Sequence, residues 1–201
     1  MSETGEEFSD QLERWLRSDE RKTLGALSDV FAEKSFATAI LLLMFVPALP
    51  LPTGGVTHLF EAITVVIAAQ MVLGRRTLWL PERWHGRELG ASTTDTAIPF
   101  MIRWVRRVER FSRPRGAGLL RQGWMLRVLG LLFVALAVAA ALAPPFTGLD
   151  TLPAMGAIAL SLAIILEDVA LLGIGIALGT GGIILIVTIG AALVHVLRSL
   201  F

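Results

Sequence analysis

A short motif occurs twice in this chain, and each copy separates two apolar runs. Residues 50–57 read P-L-P-T-G-G-V-T and residues 144–151 read P-P-F-T-G-L-D-T, so both follow the pattern P-x-x-T-G-x-x-T. Proline and glycine interrupt helices, and breaks at matching points of two apolar halves are typical of membrane transporters with internal, often inverted, repeats. We therefore expect two tandem repeats, each with a broken helical hairpin. The predicted helix breaks lie at Pro50, Pro52, Thr53, Gly54, Pro144, Pro145, Thr147 and Gly148.

The apolar runs predict an all-α, polytopic membrane protein. Apolar residues make up 54% of the chain, and the mean hydropathy is +0.68. A full crossing needs roughly 20 residues, and several runs are shorter. Residues 36–73 carry Pro47, Pro50 and Pro52 at their centre and fit either two spans or a re-entrant hairpin, whereas full spans are favoured around 143–152. The runs are 36–51, 56–73, 126–143, 152–166, 169–178 and 183–197, with a break predicted at 179–182.

Charge divides the chain into blocks. Residues 75–121 hold eleven arginines against four carboxylates, whereas residues 1–34 hold five basic residues against nine carboxylates. Short arginine-rich loops stay in the cytoplasm, so the two motif turns are expected on the far side or within the bilayer. Arg198 predicts a cytoplasmic C-terminus, and both readings of the first hairpin return the N-terminus to the cytoplasm. The acidic start argues against a cleaved signal peptide.

These blocks predict four parts of the chain. The first opens with a capping box at Thr4 and Glu7, after which apolar residues recur at helical spacing as far as Phe31. The parts are an amphipathic interfacial helix at 1–34, a first membrane hairpin at 35–74, a basic connection at 75–125, and a second membrane repeat with C-terminal helices at 126–201.

A second amphipathic helix is predicted at residues 98–111. A basic amphipathic helix beside membrane spans is attracted to anionic lipid, so we expect its arginines to contact lipid headgroups. Because the spans already explain the arginine cluster, membrane lipids rather than nucleic acid are the expected partner. The apolar face holds Ile98, Met101, Ile102, Val105 and Val108, and the opposite face holds Arg103, Arg106, Arg107 and Arg110.

Glu61 is the first candidate for a polar site, because it interrupts an apolar run. Thr57, His58 and Thr64 lie on the same helical face. A carboxylate at a helix centre in lipid costs roughly 2.5–3.5 kcal/mol on insertion scales, so it should face protein or water. One interpretation is a proton- or cation-binding site; the other is a residue near the interface that only touches water.

Glu167 and Asp168 are the second candidate. If residues 152–178 form one long helix, two adjacent carboxylates are buried within it; if they form two helices, the pair is a cytoplasmic turn without a special role. Gln70 ends the second helix of the first hairpin and provides a polar group at a corresponding place. A proposed ion site therefore comprises Glu61, His58, Thr57, Gln70, Glu167 and Asp168.

The sequence contains none of the catalytic patterns that define common enzyme classes. The motifs H-E-x-x-H, G-x-S-x-G and the Walker A loop are absent, and the chain has no cysteine. Its three histidines lack metal-ligand spacing, so we expect no metal, no cofactor and no enzymatic activity. The glycines between 173 and 182 are better explained by close helix packing than by phosphate binding.

Three pieces of the sequence together resemble the ExoD family, in the family's order. They are Gln70-Met71-Val72-Leu73-Gly74-Arg75-Arg76, Trp79-Leu80-Pro81 and Val108-Glu109-Arg110-Phe111-Ser112-Arg113-Pro114-Arg115, followed by the second proline-containing hairpin. The resemblance implies a polytopic protein of the bacterial inner membrane that is associated with exopolysaccharide synthesis, without a defined reaction. The chain departs from the family at Glu167-Asp168-Val169, where members often have glycine after the acidic pair.

Three classes of function fit these observations. An ion or small-solute transporter with its site between the hairpins is favoured by the repeats and the intramembrane carboxylates. A non-catalytic partner or regulator of a polysaccharide synthesis or export machine is favoured by the large basic connection. A lipid-modifying enzyme is third, because no nucleophile is recognisable. The Gly/Ala-rich C-terminal helices are also expected to allow a homodimer.

Overall fold

The computed structural model describes residues 7–19, 21–23, 26, 34–49, 56–75, 78–79, 98–120, 122–143 and 147–200, with side chains of the last helix described to Ala192. Regular structure in this part of the chain is helical, without a strand, which confirms the all-α prediction. The helices are α1 (Phe8–Arg17), α2 (Ser35–Phe45), α3 (Val56–Val72), α4 (Ile98–Glu109), α5 (Ala117–Leu120), α6 (Gly123–Leu142), α7 (Thr151–Leu166) and α8 (Val169–Leu200).

Four helices form a bundle in which α2 and α3 make one hairpin and α6 and α7 make another. Helix α3 packs against α6, and α2 packs against α7. Both pairs are antiparallel: Lys34 Nζ, just before α2, donates to the carbonyl of Ile165 near the end of α7 at 2.7 Å, and Gly130 in the first half of α6 lies against Met71 near the end of α3.

The bundle consequently has two distinct ends. We call the end near Lys34, Gly74 and Asp168 the base, and the end with the two hairpin turns the tip. Gly74 lies against the guanidinium of Arg127, so the connection between the hairpins leaves and re-enters at the base. Both hairpins therefore run in the same direction, and an inverted arrangement is wrong for these helices.

Helix α8 is one continuous helix from Val169 to Leu200, so the predicted break at 179–182 is wrong. Its glycines instead permit close packing on α7: a Cβ added at Gly156 would lie 2.7 Å from Gly179 Cα. Small residues let helix backbones approach, and in apolar surroundings an unbroken helix satisfies its own backbone groups. Because α8 begins at the base and runs beyond the tip, its C-terminal end lies on the tip side of the bundle.

Two of the helices, α6 at Gly123–Leu142 and α8 over Val169–Ala192, are long and apolar enough to cross a membrane. The other bundle helices are shorter: α2 has 11 residues, α3 has 17 and α7 has 16. At about 1.5 Å per residue, α2 is about 16 Å long, roughly half of a 30 Å hydrocarbon layer.

Helices α1 and α4 pack on one another along the flank of the bundle. The N-terminal helix is shorter than predicted, because α1 ends at Arg17 and Ser18 is extended; the predicted cap at Thr4 lies outside the described residues. In α4, Ile98, Met101, Ile102 and Val105 are buried inside the protein, not left for lipid.

Helix α4 does not lie flat under the bundle. Phe100 near its start contacts Phe45 at the end of α2, with ring centroids 5.8 Å apart. Just past its end, the Ser112 hydroxyl donates to Asp168 at the base. Helix α4 therefore runs alongside the bundle towards the base, with its apolar face buried inside the protein.

The contact between α7 and α8 predicts unequal effects of adding one methyl group at two glycines. Gly156→Ala places a Cβ against the α8 backbone, and such overpacking is expected to cost about 1–3 kcal/mol. Gly173→Ala is the matched control, because nothing lies within 4 Å of its Cβ position. Thermal unfolding of the purified protein, followed by circular dichroism, should show a lower midpoint only for Gly156→Ala. Equal midpoints for the two variants would contradict the close contact.

Candidate functional site

Glu61 lies near the start of α3 and is fully buried. Its Oε2 is 2.7 Å from Nδ1 of His58, one helical turn earlier, and the His58 side chain is 37% exposed. Oε1 of Glu61 is also buried, but has no hydrogen-bond partner among the described residues. A buried carboxylate oxygen without a partner is uncommon in folded proteins and marks a place where a proton, an ion or water can be held.

Further polar groups from both hairpins surround this end of the bundle. Thr57 and Thr64 are buried on the Glu61 face of α3, and Thr64 donates to the carbonyl of Phe60 at 2.8 Å. Asp150, which precedes α7 in the second motif, lies close enough to Glu61 for their charges to interact. The two hairpins therefore bring carboxylates towards each other at the tip.

The second motif also contributes a threonine at the start of α7. Oγ1 of Thr151 is buried without a hydrogen-bond partner among the described residues. Thr151 and Thr57 are the last threonines of the two motif copies, and each lies in the first turn of a helix. The repeated pattern thus positions equivalent hydroxyl groups at the tip.

Two of the predicted helix-break residues, Thr147 and Gly148, lie in the described part of the chain. Pro50, Pro52, Thr53, Gly54, Pro144 and Pro145 lie outside the described residues. Gly148 has a φ of +67°, the left-handed region in which glycine is favoured, and the carbonyl of Gly148 accepts a 3.3 Å hydrogen bond from Thr151 N–H. Thr147 is exposed. The described part of the second motif, residues 147–151, therefore forms a tight turn at the start of α7.

Gln70 is not part of the Glu61 site. It is nine positions further along α3, about 13 Å away along the helix axis, at the base. Its amide accepts from Trp79 N–H at 2.9 Å and donates to the Trp79 carbonyl at 3.2 Å, which fixes the chain after α3. The guanidinium of Arg75 lies 5.7 Å from the Trp79 ring centre. Gln70 therefore positions a loop.

Glu167 and Asp168 occupy a turn between two helices, as one of the two interpretations predicted. Glu167 ends α7 in the left-handed conformation, with φ 55° and ψ 35°. Asp168 is buried, and its carboxylate accepts hydrogen bonds from the Ser112 hydroxyl at 3.0 Å, Arg113 N–H at 3.0 Å and Ala170 N–H at 2.9 Å. The turn does have a structural role, because Asp168 caps α8 and ties the loop after α4 to the base.

These contacts also set the protonation of Asp168. Burial by itself raises the pKa of the carboxyl, but the hydrogen bonds from Arg113, Ala170 and Ser112 and the nearby charge of Arg115 outweigh it and hold the pKa below its usual range. Asp168 is therefore an ionised structural group, whereas Glu61 is buried with an oxygen unpartnered among the described residues.

The four arginines of α4 divide into two groups. Arg106 binds two carboxylates of α1, with distances of 2.9 Å to Asp10 and 2.5 Å to Glu13, and its hydrogen bond lowers the pKa of Glu13 together with the charge of Arg17. Arg106 thus joins two helices, unlike the predicted headgroup contact. The exposed members of the set are Arg103, Arg107 and Arg110.

Some structural residues were missed by the sequence reasoning. Glu109 Oε1 accepts from Ser9 N–H at 3.0 Å, and Gly116 N–H donates to the Glu167 carbonyl at 3.0 Å. These contacts join segments about 50 to 100 residues apart, so local periodicity carries no signal for them. Within the described residues, no group of three His, Cys, Asp or Glu side chains is close enough to hold a metal ion.

Comparison with known proteins agrees with the motif resemblance. The family model described as "Exopolysaccharide synthesis, ExoD" matches residues 8–188. The chain is also 26% identical over 197 residues to the uncharacterized protein slr1875 of Synechocystis sp. (strain ATCC 27184 / PCC 6803 / Kazusa), with 96% of this chain and 89% of that protein covered. No solved structure matches the chain.

The Asp168 contacts predict a pH-dependent stability. Because its pKa is lower in the folded protein than in the unfolded chain, the stabilisation is complete above the unfolded pKa and is lost as the pH falls through the folded pKa. Asp168→Asn should lower the free energy of unfolding by about 1–3 kcal/mol at neutral pH. Unfolding midpoints measured from pH 7 downwards should converge for variant and wild type in acid. The exposed Asp19→Asn is the control, and a constant difference across pH would contradict the assignment.

Proposed function

Because the chain belongs to the ExoD family, whose description names exopolysaccharide synthesis, we propose that it is a multi-pass inner-membrane protein that serves this process by moving a proton or small cation through the tip of its bundle. The observation that carries the proposal is Glu61: a fully buried carboxylate in an apolar helix, paired with a partly exposed His58 at the end where the hairpins meet. Ionisable residues inside membranes commonly mark ion or proton routes.

The length of α8 supports a position of the tip inside the bilayer. Gly182 packs on Pro153 at the start of α7, and α8 continues from there to Leu200, which adds about 27 Å of helix beyond the tip. If the tip lay at the far membrane surface, this apolar stretch would stand in water. The large exposed side chains on its described part are Ile184, Leu185, Val187 and Ile189.

We therefore propose that both hairpins are tandem, re-entrant repeats and that α8 is the complete crossing. In the observed pairing, exchanging α2 with α6 and α3 with α7 maps the α3–α6 contact onto the α2–α7 contact, as a duplicated bundle requires. The base, beside the arginine-rich connection, faces the cytoplasm. The N-terminal end then lies in the cytoplasm and the C-terminal end of α8 on the far side.

The chemistry of such a site needs no covalent step, so we propose a transport role and not an enzymatic one. Glu61 can take up or release a proton, and the partly exposed His58 imidazole, 2.7 Å away, can pass that proton to or from Glu61. Asp150 brings a second carboxylate into electrostatic range, which favours a positively charged substrate. A cation would use the same oxygen atoms, including the buried Thr151 hydroxyl.

The second candidate is a non-catalytic partner of the polysaccharide machine. The exposed arginines of the α1–α4 flank favour it, because they offer a charged surface to another protein. Contacts with polysaccharide-synthesis proteins and a homodimer through α8 stay predictions. A measurement of ion flux separates the two candidates.

Proton flux is expected to depend on Glu61. In proteoliposomes with an enclosed pH dye and a potassium diffusion potential, the wild-type chain should acidify the lumen, and Glu61→Gln should slow this at least about tenfold, equivalent to about 1.4 kcal/mol in the barrier. Glu61→Gln removes the titrating group and leaves the side-chain size almost unchanged.

Glu167→Gln is the control, because it neutralises a carboxylate at the base. Its flux should equal that of the wild type, and circular dichroism should confirm that both variants fold. Wild-type flux in Glu61→Gln would refute the site. If the fluxes of protons, Na⁺ and K⁺ with the wild-type chain do not exceed those in empty liposomes, transport is refuted and the partner role is favoured.

The depth of the tip is expected to lie within the hydrocarbon layer. The chain has no cysteine, so a single spin label can be attached at Thr147→Cys, in the second turn, and at Arg110→Cys, past the end of α4. Paramagnetic relaxation by oxygen and by a water-soluble nickel complex should place the Thr147 label in the acyl region and the Arg110 label in the headgroup or aqueous region. Two aqueous positions would mean that the hairpins span the membrane.

A further inference from the structure

A groove of about 380 Å³ runs along the flank of the bundle between α4 and α8. Helix α7 and the end of α2 form its floor. Its volume falls in the roughly 300–1,000 Å³ range of small-ligand sites, and its lining is predominantly apolar. The lining residues are Phe45, Ala48, Leu49, Phe100, Trp104, Val108, Met155, Ile158, Ala159, Leu162, Leu171, Ile174 and Leu178.

The groove follows the helices, with lining residues from Leu171 to Leu178 along α8. Leu171 lies near the base at the start of α8, whereas Leu178 and Met155 lie nearer the tip, because α7 and α8 are antiparallel. On the other wall, Phe100, Trp104 and Val108 recur every four residues and so form one stripe of α4. This shape suits a single extended hydrocarbon chain.

Two arginines border the α4 wall of the groove. Arg103 follows Phe100 by three residues and Arg107 follows Trp104 by three, so each lies beside the stripe. The Arg103 guanidinium is 5.8 Å from the Phe100 ring centre. Both arginines are exposed, and neither has a carboxylate partner among the described residues. They supply positive charge beside an apolar groove.

We propose that the groove binds one acyl chain of an anionic phospholipid from the cytoplasmic leaflet, with the lipid phosphate held by Arg103 and Arg107. Three observations carry this inference: a predominantly apolar lining, an extent along α8 from Leu171 to Leu178, and two exposed arginines on one rim that have no carboxylate partner among the described residues. Arginine is suited to phosphate because its guanidinium donates hydrogen bonds in a fixed planar geometry. The site lies on the flank, does not involve Glu61, and does not require ion transport.

The other arginines of α4 provide the matched comparison. Arg106 is held by Asp10 and Glu13 of α1 and is not available to a lipid. Arg110 is exposed on the same helix, but it is two residues from Val108 and thus does not lie beside the groove stripe. Charge loss at Arg110 changes the total charge of α4 without changing the groove rim.

The test uses the full chain in nanodiscs that contain phosphatidylglycerol and phosphatidylcholine in equal amounts. Lipids retained on release into the gas phase are counted by native mass spectrometry. The wild type should retain phosphatidylglycerol preferentially, and Arg103→Gln and Arg107→Gln should each lower this preference about fivefold. Arg110→Gln should retain the wild-type preference.

A second pair of variants tests the groove itself. Ala159→Trp fills the floor and should abolish retention of the bound lipid; if this variant does not fold, Met155→Trp blocks the groove from a residue that is already 36% exposed. An equal loss of preference in Arg110→Gln would mean only a diffuse attraction to the basic surface and would overturn the site. Equal retention of both lipids by the wild type, or unchanged retention with the groove filled, would also overturn it. Glu61→Gln should retain lipid normally, which separates this inference from the transport proposal.

Discussion

The close contact between α7 and α8 fixes the position of the two hairpins along the axis of α8. At Gly156 of α7 and Gly182 of α8 the two backbones are so near that a side chain on either would collide with the other helix. This contact sets where the second hairpin ends along α8. The first hairpin packs on the second through α3–α6 and α2–α7, so the end of α2 and the start of α3 are set at a similar level along α8. These glycines therefore determine where along α8 the Glu61 site lies, although other residues form that site.

The family motifs and the candidate site occupy opposite ends of the molecule. Gln70 and Trp79 hold the loop after α3, and the segment from Glu109 to Arg113 binds α1 and Asp168. These contacts assemble the base and bring together distant parts of the chain. The residues by which the family can be recognised are therefore explained by folding. The proposed ion site lies at the tip instead, where the repeated motif P-x-x-T-G-x-x-T is shorter and simpler than the family motifs.

The sequence was most informative where a physical rule acts locally. The apolar face of α4 and the shared face of Glu61, His58 and Thr57 follow from helical spacing alone, and the structure contains both. The sequence could not decide between a turn and a buried pair at Glu167 and Asp168, because that depends on Ser112 and Arg113 far away in the chain. Glycines at 179–182 suggested a break, but their effect depends on whether another helix approaches them.

The shortness of α2 also bears on how the protein is made. An 11-residue apolar helix ending in a proline-rich segment is too short to be integrated alone, and a turn at membrane depth is tolerated only against protein or water. Its packing partners, α3 and α7, emerge from the ribosome later, and α7 is positioned by α8, which follows α7 in the chain. The N-terminal hairpin therefore has to wait for the C-terminal helix before it can settle. On the proposed topology, the hairpin that is synthesised first can take up its final position only after α8 has been synthesised.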